Sequence, residues 1–131
     1  MATITEDYVS YETAKLLKGK GFNEECFALY NPDGILIQCG IRLNNTQVGR
    51  VEGSYSAPTL QMVMKWLRLK HNLSVEVYRT ACGYIGCIVA IPSGTDIKFL
   101  EEDGDDLSSG TYTKWEYACE AAIKYCLENL I

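Results

Sequence analysis

The chain has 131 residues, of which 47% are apolar and 22% charged. Twelve Lys and Arg against seventeen Asp and Glu leave a net charge of −5. That length and balance suit a single globular domain, 1–131, with its own core, and exclude disordered, collagen-like and coiled-coil chains; the negative charge also argues against the basic face that nucleic-acid binders use.

Met1 to Asp7 shows no basic segment leading into an apolar stretch, so no signal peptide is expected. The first pattern is helical: Ser10 precedes Tyr11 to Lys18, and Gly19 and Gly21 stop it. Cys26 to Tyr30 reads as a strand. Asn31-Pro32-Asp33-Gly34 is a turn, with Pro pre-set for the second position and Gly free to adopt positive φ. Ile35 to Ile41 returns as the second strand of that hairpin. Asn44 to Gly53 is polar, and is expected to be loop or a weak edge strand.

Ser56-Ala57-Pro58-Thr59 resembles a helix start, a capping hydroxyl followed by Pro in the first turn. The helix is expected from about Pro58 to His71, with Asn72 as a left-handed cap. His71 then sits at the negative end of the helix, a structural place rather than a catalytic one. Leu73 to Thr80 alternates as a half-buried strand does, and Gly83 to Ile91 is apolar almost throughout, as in a central strand. Tyr84 to Ile91 is the longest apolar-rich run in the chain and is far short of a membrane span. Asp96 to Leu100 reads as a third short strand, and the acidic run Glu101 to Asp106 as a solvated loop. Leu107 falls where a calcium loop would need a ligand. Thr113-Lys114-Trp115-Glu116 has the spacing of a capping box, opening a helix from Lys114 to about Asn129. Its apolar sector spans roughly 200°, so more than one neighbour must cover it.

These elements give an α+β fold: an antiparallel sheet of about four or five strands with three helices, in the order α-β-β-α-β-β-(β)-α.

Catalytic constellations are not apparent. Phosphate-binding, nucleophile-elbow and His-Glu-x-x-His motifs do not occur. Gly83-Tyr84-Ile85-Gly86 lies in strand sequence and is expected to mark a close backbone contact rather than a phosphate clamp. One histidine, His71, leaves no base for a nucleophile. The six cysteines, Cys26, Cys39, Cys82, Cys87, Cys119 and Cys126, contain no Cys-x-x-Cys, and are expected as reduced thiols with no metal and no cofactor.

The middle helix departs from a simple amphipathic pattern. Leu60, Val63, Met64 and Leu67 form the expected core stripe, while Met62, Trp66 and Leu69 form another on a different side. Two stripes require two neighbours. The second is either the last helix of the same chain or a partner, and Trp and Met are favoured anchors at interfaces.

Three stretches, Tyr8 to Phe22 (YVSYETAKLLKGKGF), Ala57 to Val77 (APTLQMVMKWLRLKHNLSVEV) and Ala118 to Ile131 (ACEAAIKYCLENLI), resemble a family of small proteins of human-gut Bacteroidales and their crAss-like phages. The resemblance implies a bacterial or phage accessory protein of the cytoplasm and supplies no mechanism. The expected function is a non-enzymatic interaction module. It would form a homo-oligomer or bind a protein partner through Met62, Trp66 and Leu69, with no nucleic acid and no membrane. The alternative is a binder of a small molecule such as a nucleotide.

Overall fold

A computed structural model of the chain describes residues 4–101 and 111–131. The elements run α1 (Tyr11–Gly19), β1 (Cys26–Tyr30), β2 (Leu36–Leu43), α2 (Asn45–Val48), β3 (Tyr55–Ser56), α3 (Leu60–His71), β4 (Leu73–Arg79), β5 (Tyr84–Ala90), β6 (Asp96–Leu100) and α4 (Trp115–Asn129). The fold is α+β. The expected single sheet is replaced by two three-stranded antiparallel sheets, β2-β1-β3 (sheet 1) and β4-β5-β6 (sheet 2), and α2 makes four helices among the described residues. The chain divides into two compact units, Met1–Leu60 and Gln61–Ile131, with one sheet in each. Strand β1 pairs on its second edge with the two-residue strand β3, Leu29 with Ser56 and Tyr30 with Tyr55, and β4 to β6 pair among themselves.

In the first unit, Ser10 caps α1, its Oγ accepting from the Thr13 amide at 3.2 Å. Val9, Ala14, Leu17, Phe22 and Ala28 are buried core. Tyr11 meets Tyr30 and Tyr55 edge-on, with ring centroids 5.6 Å apart in both pairs. The hairpin forms at the predicted turn: the Gly34 amide donates to the Asn31 carbonyl at 2.9 Å, and the Asn31 amide donates to the Ile35 carbonyl at 3.1 Å. The polar stretch read as loop contains α2. Asn44 Oδ1 accepts from the Gln47 amide and Gln47 Oε1 accepts from the Asn44 amide, a reciprocal capping box. Asn45 is buried and uses both ends of its amide: Nδ2 donates to the Phe22 carbonyl at 2.7 Å, and Oδ1 accepts from the Ser56 amide at 2.8 Å. Ser56 is therefore a strand residue, and α3 begins at Leu60 rather than at Pro58. Pairing with β1 prevails over the local capping signal at Ser56.

In the second unit, Asn72 adopts φ 55° at the end of α3, as expected of a left-handed cap. The alternating strand becomes β4 and the apolar run becomes β5, the middle strand of sheet 2. The register runs from Leu73 opposite Ala90 to Arg79 opposite Tyr84. Helix α4 packs on all three strands and buries Ala118, Cys119, Ala122, Ile123, Cys126 and Leu127. Gly86 permits that approach, because a Cβ there would stand 3.3 Å from the Ala118 carbonyl oxygen and 3.4 Å from Leu100 Cβ. A Cβ at Gly83 would stand 2.5 Å from Thr111 Oγ1. Both glycines of the Gly-x-x-Gly stretch thus serve close contacts. The capping box expected at Thr113 is not formed. Lys114 is the N-cap and makes no side-chain cap bond, so α4 starts one residue late and Glu116 sits one position too near the end to reach back.

Candidate functional site

Sheet 1 buries alternate residues of its middle strand. Cys26 and Ala28 point into the core, so Phe27 and Leu29 point outward. Leu29 stands opposite Ile37, which places both on the outer face, and Ile35 follows by alternation. Phe27 is 52% exposed, Ile35 58%, Ile37 42% and Ile41 65%. The Arg42 guanidinium lies 5.1 Å from the Phe27 ring centroid. No residue of β2 is buried.

Between Cys26–Leu43 and Ala28–Gln38 the register of the hairpin shifts, so that Phe27 alone faces Cys39 to Arg42. Strand β2 is also the outer strand of its sheet. The alternation of Phe27 and Leu29 with Ile35 and Ile37 was visible in the sequence. Its meaning was not, because period two does not say which face the core takes.

The stripe predicted on α3 is divided by burial. Met62 is 37% exposed and Leu69 68%, while Trp66 is only 7% exposed. The Trp66 indole meets the His71 ring edge-on, with centroids 4.6 Å apart. His71 ends α3, as expected.

The cysteines stand as thiols. Burial pushes the Cys126 thiol up to about 12. Burial, helped by Glu24, pushes Cys26 up to about 11. Burial and then the neighbouring Asp96 carboxylate, 3.6 Å away, also raise Cys87. These three groups are therefore protonated and weakly nucleophilic at neutral pH. Among the described residues no group of three or more His, Cys, Asp and Glu is placed to hold a metal ion. The acidic run from residue 102 to residue 106 lies outside the described residues. Among those described, no helix is long and apolar enough to cross a membrane.

A cleft of about 240 Å³ in the first unit is lined by Lys18, Gly21, Phe22, Asn23, Asn45 and Thr46. Most of its polar atoms are engaged within the chain. The Asn45 amide is bonded at both ends, and Asn23 Oδ1 accepts from the Thr46 amide at 2.9 Å and from its hydroxyl at 3.3 Å. Lys18 Nζ lies 5.3 Å from the Tyr55 ring centroid.

Comparison of the chain with protein-family models, with curated proteins and with solved structures gives no match.

Proposed function

We propose that the chain is a small non-enzymatic interaction module that holds another polypeptide, or its own copy, against exposed apolar side chains. The observation that carries this reading is the outward row of Phe27, Leu29, Ile35 and Ile37 on sheet 1, with exposed Ile41 beside it. Burying apolar surface releases about 25 cal/mol per Å², so such a row is stabilised by whatever covers it. On α3, Met62 and Leu69 provide a second contact surface, with Trp66 as packing beneath it. The resemblance to small Bacteroidales and crAss-like phage proteins makes a cytoplasmic accessory role part of the proposal. A small-molecule ligand would use the cleft at Lys18 and Asn45, but its polar groups are largely bonded to the chain itself, which favours the protein-binding reading.

Site-specific photo-crosslinking tests this. A benzophenone side chain replacing Phe27 is expected to give a polypeptide adduct in cells that make the protein, while the same group at Thr46 gives none. Adduct at position 27 no stronger than at position 46 overturns the reading.

A further inference from the structure

We infer that β2 pairs antiparallel with β2 of a second copy about a twofold axis at Gln38, joining the two copies of sheet 1 into one continuous sheet. This rests on the interaction reading above and names the partner.

The edges of the two sheets lead to it. An outer strand presents unpaired amides and carbonyls, and proteins usually guard it with charges, Pro or shortness. Among the described strands, β3 has two residues. Outer strand β4 carries Glu76 and Arg79, and outer strand β6 carries Asp96 and Lys98 in five residues. Strand β2 has eight residues, LIQCGIRL, with Arg42 its single charge. Strand β2 is outermost in sheet 1, so the backbone groups on its far edge face no other strand among the described residues.

Charge selects a second copy as that strand. Gly34 to Ile41 is uncharged, with Asp33 before it and Arg42 after it. A perpendicular twofold axis reverses the strand direction and keeps each face on its own side. With Gln38 on the axis, Ile37 falls opposite Cys39 of the second copy and Leu36 opposite its Gly40, and the Arg42 end of each strand meets the Asn31–Gly34 turn of the other. Arg42 then lies beside Asp33 of the second copy, twice over by symmetry. The outward isoleucines of both copies merge into one apolar face. A strand of like charge at both ends would be repelled from itself; this one is self-complementary.

The test is the oligomeric state by analytical ultracentrifugation of the full chain. Wild type is expected as a dimer at about 0.1 mM, weakening with salt because the end charges are exposed. Asp33 and Arg42 carry no buried contact, so Asp33→Arg and Arg42→Asp are expected to fold. Each should raise the dimer dissociation constant about ten-fold, and the double reversal should restore it to within about three-fold. A monomeric wild type at that concentration overturns the proposal, as do single reversals without effect or a double variant that stays monomeric. If position 27 captures a different polypeptide while the chain sediments as a monomer, the interaction reading stands and the self-pairing fails.

Discussion

Sheet 1 and sheet 2 have the same size and strand sense but bury their strands differently. In sheet 2 the middle strand β5 (YIGCIVA) is apolar on both sides, and α4 lies over one of them. Ile88 is fully buried there, and Gly86 makes room for the helix backbone. In sheet 1 the middle strand β1 (CFALY) alternates, burying Cys26 and Ala28 and leaving Phe27 outward, and its neighbour β2 buries nothing. The edges differ too. Charges stand on both outer strands of sheet 2, while seven of the eight residues of β2 are uncharged. Similar β-hairpins can thus form an enclosed core layer or an open surface, depending on what covers them and on where the charges fall.

The sharpest way to break this comparison is truncation of one isoleucine in each sheet. Ile88→Ala should cost about 3 to 4 kcal/mol in urea unfolding, because it leaves a cavity between sheet and helix. Ile37→Ala should cost under about 1 kcal/mol, because 42% of that side chain is already in water. Equal costs would mean that β2 belongs to an enclosed core.

Asn45→Ala tests how the first unit is fastened without a long helix over its sheet. It leaves the Phe22 carbonyl and the Ser56 amide without their partner in a buried place, and should cost about 2 kcal/mol in thermal unfolding.

The smallest effect near neutral pH concerns the thiols. The Cys26 and Cys126 thiols hold their protons more tightly folded than unfolded, so the stability they contribute is present below pH 9.0 and is lost as pH rises toward about 11 for Cys26 and about 12 for Cys126. Cys126→Ala should flatten the alkaline fall in stability, by at most about 1.4 kcal/mol per pH unit, and more than Cys26→Ala does. The parent-minus-variant difference in urea midpoint against pH reads each thiol separately.

Local signals in the sequence survive where they are short-ranged. Asn31-Pro32-Asp33-Gly34 makes its turn, Ser10 caps α1, Asn72 takes its left-handed place and Asp96 to Leu100 is a strand. The Asn44 and Gln47 capping pair is equally local, but a four-residue helix shows no apolar period to mark it. Two local signals were overruled. Ser56 serves β1 instead of capping a helix, and α4 starts past the box at Thr113. The three-residue stripe on α3 follows from spacing alone, and spacing does not reveal that Trp66 is covered while Leu69 is exposed.

By itself the sequence determined the α+β class, the hairpins and the uncharged run from Gly34 to Ile41, since turn chemistry, periodicity and charge reside in neighbouring residues. Only the tertiary structure decided that β1 pairs with β3, that the strands form two sheets instead of one, and that β2 is left outermost with its isoleucines exposed. Those outcomes depend on contacts between residues far apart in the chain, such as Leu29 with Ser56 and Asn45 with Phe22, which no local pattern encodes.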